Sequence, residues 1–235
     1  ETCRIVSEQV QGTIYVSHSG GCAEVDENIK ISEETYSGFA ANPNIYGTVL
    51  IGLGCEGALP SIMTERIKAK TNKPLEVFVI KDEGGTVNTI NKAVKAARAM
   101  VEEASKLQKE EFPVSELFLG IECGGSDATS GLAANPVIGV VSDKLVDFGG
   151  SAVMSETTEF VGAEHVLAER GETKEIHNQI IMLCKDLEDH LARQNQDLRS
   201  GNPSPGNKEG GLSTIEEKSL GCIHKGGTRP VVEVL

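Results

Sequence analysis

Residues 46–54 read YGTVLIGLG, a short run dense in apolar side chains and closed by glycine. A run of this length without polar alternation is typical of a buried parallel strand. What flanks it decides the fold. Downstream, ALPSIMTERIKAKT (58–71) reads as a helix, with Pro60 tolerable in its first turn. LEVFVIKD (75–82) reads as the next strand. Val87, Ile90, Val94, Ala97, Val101 and Ala104 then recur at three- and four-residue steps, which makes one apolar face of a long helix. Upstream, GTIYVSHS (12–19) reads as a strand and 26–41 as a helix. SELFLGIEC (115–123) and SAVMSET (151–157) are further strands. Between them 127–147 reads as helical, with a break or kink at Asn135-Pro136. A helix over about 158–170 follows, and Ile176, Ile180, Leu183, Leu187 and Leu191 mark another. Strands alternating with helices predict an α/β fold: parallel-sheet, Rossmann-like layers with helices on both faces, in two subdomains. The boundary falls near KEEFPVSE (109–116) and divides 1–112 from 113–235. A polar stretch, QNQDLRSGNPSPGNKEGG (194–211), is too long for a routine connection and reads as a functional or a mobile loop.

Composition narrows the function classes. The 235 residues are 39% hydrophobic and 24% charged, ordinary for a globular chain, and can bury a real core. Aromatics are 4% and tryptophan is absent, so the core rests on Val, Ile, Leu and Ala. A net charge of −13 argues against nucleic acid, whose phosphates need a basic face. No apolar run reaches the length of a membrane span, and the polar, mixed first twenty residues do not read as a signal peptide. Six cysteines occur with no CxxC pair or tight framework, which points to reduced thiols and a cytoplasmic protein.

Cys22, Cys55 and Cys123 each abut glycine, and each follows a strand-like run. In open parallel sheets ligands bind beyond the carboxyl ends of the strands. VSHSGGC (16–22) places His18 and Cys22 around two glycines, and IGLGCEG (51–57) places Cys55 and Glu56 between glycines. In GIECGGSD (120–127), Gly124 and Gly125 permit a sharp turn and close approach of a ligand. Ser126 or Asp127 can cap the helix expected next, whose first amides suit a carboxylate. Thiolate, imidazole and carboxylate gathered at strand ends are metal-site material. Glu156 and Glu159, in MSETTEF (154–160), also suit a plain capping role. His177 and His190 lie off their helix's apolar stripe and read as solvated, whereas Cys184 reads as core. Cys222 and His224, in GCIHKGG (221–227), are a near pair beside glycines.

HSGGC (18–22), ANPNIYGTVLIGLGCE (41–56), CGGSDATSGLAANPVIG (123–139), GGSAVMSETTEFVGAEHVLAERG (149–171) and SPGNKEGGLSTIEEKSLGCIHKGG (204–227) are long, specific runs. Together they resemble the altronate/galactarate dehydratase family, which also contains the large subunit of sulfolactate sulfo-lyase. The resemblance spans essentially the whole chain. The chain lacks the family's DGRxGxRN-type opening and stops at PVVEVL (230–235), so it is expected to be an internal piece of a longer one. On that basis 1–112 corresponds to the family's second domain, a dimerising one. Residues 113–235 correspond to the start of a C-terminal Rossmann-like, metal-binding catalytic domain.

The family implies an iron-activated β-elimination that removes water from a sugar acid, or sulfite from sulfolactate, and leaves an enol that becomes a 2-keto acid. Such chemistry needs a base at the proton α to the carboxylate, a divalent metal for the developing enolate and an acid for the leaving group. The residues offered for Fe²⁺, with Mn²⁺ or another divalent ion as substitute, are Cys22, Cys55, Glu56 and Cys123. Those offered for acid–base work are His18, His165 and Glu156. Gly124, Gly125, Ser126 and Asp127, helped by Lys218 and Lys225, are the candidates for a small anionic sugar acid. A homodimer is expected. The competing readings are a sulfolactate sulfo-lyase and a non-catalytic metal- or anion-binding domain.

Overall fold

Strand β1 (Thr48–Gly52) pairs in parallel with β2 (Leu75–Val79), in register Thr48↔Leu75 to Gly52↔Val79. The two are joined through helix α3 (Pro60–Lys70), whose proline sits in the first turn where no intrahelical N–H is missed. The structure, a computed structural model, describes residues 1–17 and 20–235. The chain divides into two units, Glu1–Lys109 and Glu110–Leu235.

In the first unit, helices α1 (Thr2–Gln9), α2 (Asp26–Ala41) and α4 (Thr86–Ala104) complete the main elements. Side chains of a strand alternate between faces, and β1 shows why both faces are apolar. Val49 and Ile51 pack with Val6, Val10, Ala93, Val94 and Ala97 of the α1 and α4 layer. Leu50 packs on the other side with Ala40, Met63 and Ile67 of α2 and α3. The layered arrangement read from YGTVLIGLG is therefore present here, with helices on both faces. Within the α4 stripe only Val87 departs strongly, standing 72% exposed in the first turn while Thr89 is buried instead.

Residues 13–17 form no strand. Thr13 is tied back to the end of α1, its amide and hydroxyl both donating to the carbonyl of Val10. Ile14, Tyr15 and Val16 are exposed. A β-prone run becomes a strand only where a neighbouring ladder takes its amides and carbonyls. Among the described residues of this unit, the ladder ends at β1 and β2.

In the second unit β3 (Phe118–Ile121) pairs in parallel with β4 (Ser151–Met154). Their crossover is α5 (Ala134–Asp147). Beyond β4 come a 3-10 turn (Thr157–Glu159), α6 (Glu164–Ala168) and α7 (Lys174–Arg193), then α8 (Leu198–Gly201) and α9 (Pro205–Glu209). Helix α10 (Ile215–Cys222) and a final 3-10 turn (Ile223–Gly226) end the unit's helical part. The core joins Val161, Ala163, Leu167, Ile180, Cys184, Ile215 and Ile223. Cys184 is core, as its place on the α7 stripe predicts. The 194–211 stretch is ordered as α8 and α9. Asn207, in the capping box of α9, donates its side-chain amide to the carbonyl of Ser126.

The helix expected over 127–147 begins only at Ala134. Residues 128–133 are turns held by Asp127, and Pro136 neither breaks nor kinks the helix, because it falls within its first turn. Helix α5 also reverses the usual amphipathic order. Its inward positions are Asn135, Gly139, Ser142 and Leu145, while Val137, Val140 and Val141 face outward. Gly139 is inward for a steric reason: a methyl there would run into the backbone carbonyl of His224 and sit 3.2 Å from the Cα of Gly227.

Candidate functional site

Strand β3 delivers Cys123 and β4 delivers Glu156 to the same end of their sheet. The backbone amide of Cys123 donates to a carboxylate oxygen of Glu156 at 2.8 Å. Glu156 holds φ 51° and ψ 76°, the left-handed region that a residue with a Cβ occupies only at a cost of about 1–2 kcal/mol. Strain of that kind concentrates where geometry serves function. Glu156 opens the 3-10 turn that brings Glu159 back toward the sheet. The Cys123 thiol and one carboxylate oxygen each from Glu156 and Glu159 lie within 4.8 Å of one another. Three such donors fit around one ion, since ligand bonds of about 2.0–2.3 Å place ligands up to roughly 4.5 Å apart. Mixed thiolate and carboxylate suits a borderline divalent ion of the first transition row.

Behind this group, Glu159 is buried and both its oxygens accept from the Lys225 ammonium, at 2.6 and 2.9 Å. Burial works against the lysine's charge, but the Glu159 carboxylate outweighs it and holds the lysine's pKa above its ordinary value. Burial, reinforced by Glu159, pushes the Cys222 thiol up to about 12, so that it stays protonated beside the carboxylate.

A cavity of about 280 Å³ is lined by residues that include Ser126, Asp127, Asn135, Lys218, Cys222 and His224. Cys222 links it to Glu159, and the Ser126 hydroxyl lies 3.6 Å from the Cys123 sulfur, so the cavity abuts the donor group. Lys218 donates to the side-chain oxygens of Asn202 (2.9 Å) and Asn207 (3.2 Å). Its cationic head is thus oriented by neutral partners. Asp127 accepts from the amides and hydroxyls of Thr129 and Ser130 through one oxygen. Those bonds, the Thr129 hydroxyl foremost, hold its carboxyl below the usual range. The turn amides expected to receive a substrate carboxylate are therefore partly engaged by Asp127 itself. Gly124 and Gly125 face open space.

Of the other predicted residues in this unit, neither Lys225 nor His165 lines the cavity. Lys225 is not on the cavity wall, because a buried ammonium needs its carboxylate partner and Glu159 supplies it. His165 is exposed on α6 and does not join the Cys123 group. His18 lies outside the described residues. Cys22, Cys55 and Glu56 belong to the first unit. There Cys22 and Cys55 are exposed, on loops joined by a hydrogen bond from the Gly57 amide to the Gly21 carbonyl. Glu56 is buried and accepts from the amides of Leu53, Gly54 and Cys55 at 2.6–2.8 Å, which makes it a clasp for its own glycine loop. Burial would raise its pKa, but the amides together outweigh this and hold it below the ordinary value. A carboxyl whose folded pKa is depressed contributes stability above its unfolded pKa and loses it as pH falls through the folded one. Glu56→Gln is accordingly expected to destabilise the fold at neutral pH, by about 1–3 kcal/mol of lost pairing. The gap to wild type should begin to narrow as pH falls below the ordinary glutamate value of about 4.3 and go on narrowing toward the depressed folded one, read by thermal scans across the acid range. A gap that persists unchanged in acid would show that the charge is immaterial.

Glu159 and Lys225 carry a signal that sequence can show: single charges inside otherwise apolar or glycine-rich turns, TTEFVGA (157–163) and CIHKGG (222–227). Their pairing across 66 positions cannot be seen there.

Residues 114–235 match the family model "D-galactarate/Altronate dehydratase, C-terminal", and residues 1–105 match "D-galactarate dehydratase/Altronate hydrolase, second domain". The chain belongs to the galactarate/altronate dehydratase family. Within it, the chain is 36% identical over 223 residues to an altronate dehydratase of Bacillus subtilis, covering 94% of this chain and 44% of that protein. It is 37% identical over 225 residues to a (2R)-sulfolactate sulfo-lyase subunit beta of Chromohalobacter salexigens, covering 95% and 57%. It is 37% identical over 207 residues to a galactarate dehydratase (L-threo-forming) of Escherichia coli, covering 86% and 39%. The chain thus spans about half the length of these family members. Among the described residues, no helix is long and apolar enough to cross a membrane.

Proposed function

We propose that the protein is a metal-dependent hydro-lyase that converts a sugar acid of the altronate or galactarate type to a 2-keto-3-deoxy acid. The observation that carries this reading is the Cys123–Glu156–Glu159 donor group abutting a cavity that holds Lys218 and His224, in a chain of this family. Cys123, Glu156 and Glu159 are the residues that would hold the ion, Fe²⁺ or Mn²⁺ in its place. Bound there, the ion supplies Lewis-acid stabilisation of negative charge on a substrate oxygen. Lys218 pairs with the substrate carboxylate, assisted by the open backbone at Gly124 and Gly125. His224, which lines the cavity, is the group we place at the proton α to that carboxylate, in preference to His165, which does not line it. Loss of that proton and of the β-hydroxyl, which departs as water, leaves the enol that tautomerises to the keto acid. A cytoplasmic setting is part of the same proposal, resting on six cysteines with no CxxC pair or tight framework. A homodimer is part of the same proposal, and light scattering that returns a monomer at working concentration would remove that part.

The test is an anaerobic assay of 2-keto acid formation from altronate and galactarate, before and after chelation and with Fe²⁺ or Mn²⁺ restored. Turnover that survives chelation and metal-free dialysis rules out the metal. The sulfo-lyase reading is favoured by an identity to the sulfo-lyase subunit as high as to the dehydratases. Sulfite release from sulfolactate, with no keto acid from either sugar acid, would establish it instead.

A further inference from the structure

The metal reading leaves one charged group unused. Lys225 is 4% exposed and Glu159 5% exposed, and the ammonium donates to both carboxylate oxygens at 2.6 and 2.9 Å. The same carboxylate stands within 4.8 Å of the donor atoms of Cys123 and Glu156. A divalent ion at this group must therefore share Glu159 with a fixed positive charge a few ångströms away.

Resting on the metal reading above, we propose that Lys225 sets the affinity of the cluster by competing with the divalent ion for Glu159. Two consequences follow from electrostatics. Repulsion between the ammonium and the ion weakens binding, on the order of 10- to 100-fold at these separations even with substantial screening. The ammonium also neutralises a carboxylate that would otherwise be a lone buried charge, so the fold of the Thr157–Glu159 turn does not depend on metal. Lys225 is a positioning residue: it acts on the ion through Glu159 and exchanges tight capture for reversible loading.

The test measures Mn²⁺ binding by electron paramagnetic resonance titration, with thermal unfolding alongside, in wild type, Lys225→Met and Lys225→Gln. Glutamine keeps a hydrogen bond to Glu159 while deleting the charge, which guards against a methionine variant that does not fold without metal. The expected result is Mn²⁺ binding at least about tenfold tighter in the variants. Their melting temperature should fall without metal and rise on saturation by more than wild type gains. On a Glu159→Gln background, Lys225→Gln should tighten binding less than it does in wild type, because the competition for Glu159 is gone and only the direct repulsion remains. Unchanged or weaker binding in a folded Lys225 variant overturns the proposal, as does equal tightening on the Glu159→Gln background. Cys123→Ser separates this failure from that of the metal reading. If wild type binds Mn²⁺ and Cys123→Ser abolishes it, the metal reading stands, and unchanged affinity in the lysine variants sinks the role of Lys225 alone. If wild type and every variant bind no Mn²⁺, the metal reading falls and this inference with it.

Discussion

Cys123→Ser is expected to weaken binding of the divalent ion by about a hundredfold or more while leaving the fold intact. Serine keeps the size and the half-buried position of Cys123, and a neutral hydroxyl can take over the contact with Ser126. It cannot supply a thiolate, and a hydroxyl is a far poorer ligand for a borderline ion. A hundredfold loss corresponds to about 2.7 kcal/mol of binding free energy, whereas a surface-proximal isosteric change moves folding stability by about 0.5 kcal/mol. Metal titration and a melting curve on the same preparation separate the two. On the proposed function, keto acid formation should fall in parallel with metal binding and be restored in part by excess ion. Wild-type affinity in the variant would remove Cys123 from the cluster and leave it a packed thiol beside Glu156.

The second large effect is structural. Gly139→Ala places a methyl against the carbonyl of His224, with the Gly227 backbone close behind. Neither obstacle is a flexible side chain, so helix α5 must move off the segment it packs against. Overpacking of this kind costs about 1–3 kcal/mol and sometimes more. The displaced segment carries His224 and Lys225, and Ser142 donates its hydroxyl to the Lys225 carbonyl at 2.8 Å. Displacement therefore reaches the cavity wall and the Glu159 ion pair together. We expect a clear drop in melting temperature together with weaker metal binding. Gly120 supplies the control, since a methyl there meets nothing within 4 Å. Gly120→Ala should be nearly silent by both measures. A Gly139→Ala variant that melts like wild type would show that α5 does not press on the 223–227 turn.

How far the sequence can be read, and where reading stops, follows from the range of the forces involved. β1, β2 and the helices α2, α3, α4 and α7 rest on local periodicity and on apolar runs, and all are legible. The segment 13–17 resembles a strand by composition, but strand formation depends on a partner ladder that composition does not encode. The start of α5 falls later than its sequence suggests because Asp127 satisfies the amides of Thr129 and Ser130 in a turn of its own. At the candidate site, GGSD and the cysteine before it mark the end of β3. Glu156 reads as a cap or an acid–base group, and Glu159 as a cap, because a carboxylate at a helix start is ordinary chemistry. Only the fold shows that one is backbone-strained toward Cys123 and the other is neutralised by a lysine 66 positions away. Lys225, just before Gly226 and Gly227, reads as a helper for the substrate carboxylate, and its burial is a tertiary fact.

The left-handed backbone at Glu156 has a bearing on how this protein can be engineered. A routine stabilising strategy replaces any non-glycine residue at positive φ with glycine, and by that rule position 156 is an obvious target. The substitution would relax the turn and delete the carboxylate that holds the Cys123 amide and completes the donor group. Screening variants by heat resistance alone would then favour a chain that folds well and has lost the proposed metal site. Position 156 is one where robustness and competence are set against each other by a single dihedral angle, so selection there has to read the chemistry rather than the melting curve.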